Sequence, residues 1–225
     1  MNAKMNLLAL ALLGLAGYAG SAVAGCPSSP VPPWTAVGAL GGTATIAAGG
    51  YAGTACRLDS ALTGDASSFA TVEDDSPTAE PRYRAQFIIN GDNLTNLGLV
   101  DAAYIFSATG AAGPTVQLSI VGDGAGGRLV SFIVLNGAAV NSLPLTAGEN
   151  HVEFDYNTTG GTFSAWVNNN VEASPDWSTP ITGSASVDTA FLGLAGATPT
   201  YLSGFNGTAV GFDQFDSRRQ SFIGF

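Results

Sequence analysis

The sequence predicts an all-β protein, a sandwich or barrel of antiparallel strands. Short runs with a period of two recur from about Thr54 onward. Gly, Asn, Asp and Pro clusters separate these runs at intervals of roughly 8–15 residues. No window of helical length holds a 3.6-residue period without a glycine. With 225 residues, 46% apolar and 11% charged, the chain is long enough to bury a core and too apolar for wholesale disorder.

Residues 1–24 read as an export signal. Lys4 supplies a short positive region, Leu7 to Leu15 an apolar stretch too short to span a bilayer, and Ala22-Val23-Ala24 an A-x-A cleavage site. The mature chain is therefore expected to be secreted or periplasmic, without a transmembrane span. Val23-Ala24-Gly25-Cys26 also matches a lipobox, in which Cys26 would carry lipid and anchor the chain. Cys26 and Cys56 are the only thiols. In an oxidising compartment they are expected to pair as a disulfide, unless Cys26 is lipidated. The two outcomes exclude each other.

Residues 25–53 are first Pro-rich, with Pro27, Pro30, Pro32 and Pro33 before Trp34, and then Ala/Gly-rich; they read as an extended lead-in. Residues 54–225 read as one domain. Within it Tyr83, Ala85, Phe87 and Ile89 alternate with Arg84, Gln86, Ile88 and Asn90. Tyr104 to Ala108, Val116 to Val121, Val152 to Tyr156 and Phe163 to Asn168 alternate in the same way. Leu129 to Leu135 is apolar on both sides apart from Ser131, which suits a strand covered on both faces. Val187 to Leu194 and Gly207 to Phe215 complete about ten expected strands. Asp123 to Gly127 and Asn157 to Gly161 read as hairpin loops. An outer-membrane barrel is the alternative, prompted by the aromatic ending Ile223-Gly224-Phe225, but the two-sided apolar run favours the sandwich.

Composition narrows function by exclusion. Seven basic residues against 17 acidic ones give a net charge of −10, and nucleic acid as partner is excluded because phosphate binding needs a basic patch. Cleavage after Ala24 removes the only lysine and leaves 6 Arg against 17 acids, a charge of −11. One histidine, His151, and two cysteines leave little for a zinc site or a His-dependent nucleophile. The glycine clusters lack the Gly-Lys-Ser/Thr and helix of a phosphate loop. His151, alone before a strand, reads as a polar edge residue. Asn93, Asn157 and Asn206 head sequons that a bacterial-type signal makes coincidental.

The stretch Val72-Glu73-Asp74-Asp75-Ser76-Pro77, then Glu80 and Arg82-Tyr83-Arg84-Ala85-Gln86-Phe87, resembles a recurring segment of exported bacterial proteins of the concanavalin A-like lectin/glucanase superfamily. Gly211-Phe212-Asp213-Gln214-Phe215-Asp216-Ser217-Arg218-Arg219-Gln220 resembles their closing strand. His151 to Tyr156, the Gly160-Gly161 turn and Phe163 to Asn168 look like the hairpin shared by laminin-G-like domains. The likeness covers about residues 54–225. It implies an antiparallel jelly-roll sandwich and leaves the activity open, because the superfamily includes lectins, adhesion modules, glycosidases and lyases.

Three constellations could carry chemistry. Glu153-Phe154-Asp155 resembles the start of the Glu-x-Asp-x-(x)-Glu strand of related glucanases, but Asn157 stands where a third carboxylate is needed, so no catalytic residue is expected. The parity of Trp166 puts it on the outer face, away from Phe163 and Ala165, where it could stack on a sugar ring beside Glu153 and Asp155 unless a loop or the N-terminal segment covers it. Asp74, Asp75, Glu80 and Asp213, next to Glu73, offer hard oxygen ligands for a structural calcium ion; the alternative pairs these acids with Arg82, Arg84, Arg218 or Arg219. The leading expectation is a non-catalytic extracytoplasmic module binding carbohydrate or a cell-surface glycan. A structural or interaction protein of the envelope or matrix, with no small ligand, is second, and a polysaccharide-degrading enzyme third.

Overall fold

The computed structural model describes Cys26 and residues 34–135, 138–183 and 185–225. The expected export signal, the residues of the expected lipobox before Cys26 and the four prolines of the lead-in lie outside the described residues. Among the described residues the elements run β1 (Ala36–Leu40), β2 (Gly42–Ala48), β3 (Cys56–Leu62), β4 (Phe69–Asp74), β5 (Arg82–Asn90), β6 (Ala102–Gly110), β7 (Gly113–Gly122), β8 (Arg128–Val134), β9 (Ala139–Leu145), β10 (Asn150–Asn157), β11 (Thr162–Val167), β12 (Trp177–Pro180), β13 (Thr189–Leu194), α1 (Pro199–Phe205) and β14 (Val210–Arg218).

These strands form two seven-stranded sheets, ordered β1-β4-β13-β6-β7-β8-β9 and β12-β11-β10-β5-β14-β3-β2. Pairing is antiparallel along both sheets, and the two pack face to face as a jelly-roll sandwich. Two open sheets, rather than one closed on itself, set the membrane barrel aside.

The alternation read from the sequence decides which side chains meet. Phe87, Phe154, Phe163 and Phe212 leave the second sheet inward, and Phe106 and Phe132 leave the first sheet to meet them. Phe106 lies 5.2 Å from Phe154 and 5.9 Å from Phe87, ring centre to ring centre, while Phe132 lies 6.1 Å from Phe163. Such pairs add about 0.5–1.5 kcal/mol each beyond their buried area. One hydroxyl also stitches the layers: Ser60 on β3 donates to the Ala70 carbonyl on β4 at 2.6 Å and accepts from the Leu194 amide on β13 at 2.9 Å.

Both expected hairpin loops are present, Gly122 pairing with Arg128 and Asn157 with Thr162. The Asp123 carboxylate accepts the Ala125 and Gly127 amides, which hold it below the usual carboxylate range.

Two expectations need correction. Residues 36–48, read as lead-in, supply β1 and β2, one at an edge of each sheet. Their Ala and Gly side chains give little periodic signal, and edge strands pair through the backbone alone. The run from Leu129 to Leu135 is fully buried on its inner face, at Val130, Phe132 and Val134; on the other face Ser131 is buried, Leu129 and Ile133 are half-buried and Leu135 is exposed. The short edge strand β12 and β9, which tolerates Pro144 near an edge, also escaped the pattern.

Candidate functional site

The outer face of the second sheet gathers the polar and aromatic residues singled out above. Register places Glu153 directly between Trp166 on β11 and Gln86 on β5, and Asp155 between Ser164 and Arg84. Because neighbours on one face recur every second residue, Trp166, Glu153, Asp155, Gln86 and Arg84 share that face. The parity argument for Trp166 and the two carboxylates therefore agrees with the structure.

Their exposure differs from the expectation of an open face. Trp166 is only 2% exposed, and Glu153 and Asp155 are buried rather than solvated. Among the described residues the cover comes from the segment after β14 and the loop after β11. Residues 219–225 return across the face after β14, and Phe222 meets Trp166 edge-on at 5.3 Å. The loop after β11 closes the side, where the Trp166 indole Nε1 donates to the Val171 carbonyl at 3.1 Å.

Arg84 organises the buried charge. Its guanidinium is 2% exposed and lies 5.3 Å from the ring centres of both Trp166 and Phe222. It reaches Asp155 at 3.1 Å, Glu172 of the β11–β12 loop at 2.9 Å and Glu153 at 3.8 Å. Arg82 forks onto Asp155 with contacts of 3.0 and 2.7 Å. Glu153 in turn accepts the amides of Ile223 and Gly224, each at 3.0 Å. Both carboxylates are thus committed to cations and N–H donors.

His151 ends the same row. Its ring stacks on Phe225 at 4.1 Å, and burial pushes its pKa below the usual imidazole value, with Glu149 opposing weakly. Above the ordinary value of 6.5 the folded and unfolded chains both hold it neutral. As pH falls below that value the unfolded chain takes up the proton first, so stability is lost on acidification. Thermal melts at about pH 7 and about pH 5 should show a drop that His151→Gln diminishes; an undiminished drop rejects the assignment.

The four expected calcium ligands do not come together. Asp74 points inward at the end of β4, fully buried, with one oxygen accepting the Ser76 amide. Asp75 is exposed, and Glu80 pairs with Arg219 at 2.9 Å. Asp213 faces outward from β14 in the other sheet, where it accepts the Tyr51 amide at 2.6 Å and the Thr54 hydroxyl. The sandwich core separates β4 from β14, and among the described residues no group of three His, Cys, Asp or Glu side chains is placed to hold a metal ion.

At its far end the same face stays open. Tyr51, Arg57, Asp59, Asn90, Asp92 and Asn93 surround a polar depression of about 260 Å³. Asp59 holds Arg57 by two contacts, 2.7 and 3.1 Å, and the guanidinium lies 5.6 Å over the Tyr51 ring. A Cβ at Gly211 would stand 1.8 Å from the Tyr51 hydroxyl, so the ring rests directly on the β14 backbone. Sequence reasoning missed this cluster because Tyr51 lies in the presumed lead-in; the outward parity of Asn90, shared with Arg84 and Gln86, was the available signal.

No protein-family model and no curated protein matches the chain. Solved structures do share its fold. A cellulose-induced protein, Cip1, superposes with a TM-score of 0.59 at 13% identity, over 80% of this chain and 87% of that one. An alginate lyase from Klebsiella pneumoniae superposes with a TM-score of 0.51 at 8% identity, over 80% and 85%.

Proposed function

We propose that this protein is an extracytoplasmic module that binds polysaccharide on the outer face of the second sheet. The open cluster around Tyr51 is the observation that carries this reading. A sugar ring needs an apolar surface for its C–H groups and fixed donors and acceptors for its hydroxyls, and Tyr51, Arg57, Asp59 and Asn90 supply both on rigid strands or beside them. Carbohydrate-related names among the fold neighbours support the class of ligand. Charge narrows it further. A mature chain at −11, whose Arg57 and Arg128 are already paired with Asp59 and Asp92, suits neutral glycans better than polyuronates.

Affinity electrophoresis through hydroxyethylcellulose and through alginate tests the reading. Wild type is expected to be retarded by the neutral polymer, and Tyr51→Ala to lose roughly tenfold in affinity with its melting temperature little changed. Gly211→Ala, which displaces the Tyr51 hydroxyl, should weaken binding in the same direction. Equal retardation of wild type and Tyr51→Ala by every polymer rejects this site.

One observation favours a second reading, polysaccharide cleavage led by a base. His151 is neutral at ordinary pH, and its Nδ1 has no partner among the described residues. Release of unsaturated, ultraviolet-absorbing ends by wild type but not by His151→Gln would establish it.

A further inference from the structure

The segment 219–225 fits the face it covers closely in some places and badly in others. Its backbone is gripped by side chains: Glu153 takes the amides of residues 223 and 224, and Asn170 takes the Phe225 amide at 3.1 Å and donates to the Phe225 carbonyl. Gly224 adopts φ +68°, where a side chain is strained, and a Cβ there would stand 2.4 Å from the Asn170 Oδ1, so a larger residue has to push the end of Asn170 aside.

The side chains beneath are not satisfied to the same degree. Six buried side-chain polar atoms lack a hydrogen-bond partner among the described residues, and three of them lie on this covered face: Arg84 Nε, which is ion-paired to Glu153 at 3.8 Å, Gln86 Oε1 and His151 Nδ1. Buried polar groups are nearly always paired, so the two atoms with neither a hydrogen bond nor an ion pair, Gln86 Oε1 and His151 Nδ1, point to an occupant that matches the face incompletely. One is an acceptor, and a neutral imidazole nitrogen offers either role. A hydroxyl donates and accepts at one freely rotating atom, whereas a peptide group does so at two atoms of fixed direction, so sugar hydroxyls complement that set.

We propose that residues 219–225 are an intramolecular plug on a covered half of the glycan site, and that ligand binding displaces them. Trp166, Arg84, Gln86 and His151 form this half, continuous across β5 and β14 with the open half at Tyr51. The inference rests on the glycan reading above. The plug holds the site closed, so measured affinity is reduced by the fraction of molecules that are open.

Hydrogen exchange on the full-length wild type tests this directly, with hydroxyethylcellulose as the probe. Saturating polymer is expected to accelerate exchange at the Ile223 and Gly224 amides while the core strands stay protected. In parallel, Gly224→Ala should bind the same polymer about tenfold or more tightly than wild type, as expected if no more than about a tenth of wild-type molecules are open. A free peptide of the sequence of residues 219–225 should return that variant toward wild-type affinity. Phe222→Ala serves as the second variant, and near-ultraviolet circular dichroism confirms that each keeps its fold.

Polymer binding without faster exchange, or equal or weaker binding by both variants, overturns the plug and leaves the glycan reading standing on Tyr51. Failure of every protein to bind any polymer overturns the glycan reading, and the plug falls with it.

Discussion

Replacing Arg84 by methionine is expected to lower the unfolding free energy by about 3–5 kcal/mol, the usual cost of leaving buried carboxylates without their cation. Arg84 is almost fully buried, as are Glu153 and Asp155, and its guanidinium contacts both of them as well as Glu172. Methionine fills similar space between Trp166 and Phe222 but leaves Glu153 with only the two amides of the 219–225 segment. Asp155 would keep Arg82 at 2.7 Å, so the heavier loss falls on Glu153. Arg84→Lys should recover only part of the stability, because one ammonium cannot span three carboxylates as a planar fork does. Adding Glu153→Gln to Arg84→Met should restore part of the loss by removing the stranded charge. Urea denaturation measures all three, and a loss below about 1 kcal/mol in Arg84→Met would place the network among weak surface pairs instead.

Removing the disulfide should have an effect of similar size. Cys26 and Cys56 are bonded across 30 residues, a loop whose closure is worth about 3–4 kcal/mol in the chain-entropy account. The double variant Cys26→Ala/Cys56→Ala is expected to lose that amount. The bond ties the chain before Trp34 to β3, and Trp34 packs at a tilt against Phe215, ring centres 4.6 Å apart, beside an apolar cavity of about 360 Å³ lined by Ile46, Leu58, Leu192 and Phe212. Loss of the tie should therefore also raise the exposure of Trp34, read as stronger quenching of its fluorescence. The pairing occupies the Cys26 sulfur that lipidation would need. Intact mass of the protein produced from the full sequence checks this: two hydrogens fewer than the reduced chain supports the disulfide, and a diacylglycerol adduct refutes it. A stability change below about 1 kcal/mol in the double variant would mean that the segment is already held by β2–β3 pairing, which sets Ala48 opposite Cys56.

Much of this molecule was legible one strand at a time. The alternation in β5, β10 and β11 named the inward residues Tyr83, Phe87, Phe154 and Phe163, and the same parity put Trp166, Glu153 and Asp155 on the opposite face. Glycine and Asx clusters located the β7–β8 and β10–β11 turns. A hint of the cover was also present: Ile88 is an apolar residue in the outward row of β5, and it is fully buried.

By itself the sequence determined an antiparallel β architecture, the faces of its central strands and the pairing choices of two lone thiols. These are local or compositional properties, set by the two-residue repeat of an extended backbone and by counting. Only the tertiary structure decided that residues 219–225 cover Trp166, that Asp74 and Asp213 belong to different sheets, and that Tyr51 joins the open end of the face. Period two states which side of a strand a side chain leaves. What it meets there depends on the path of a chain segment many residues away, and no local pattern encodes that path.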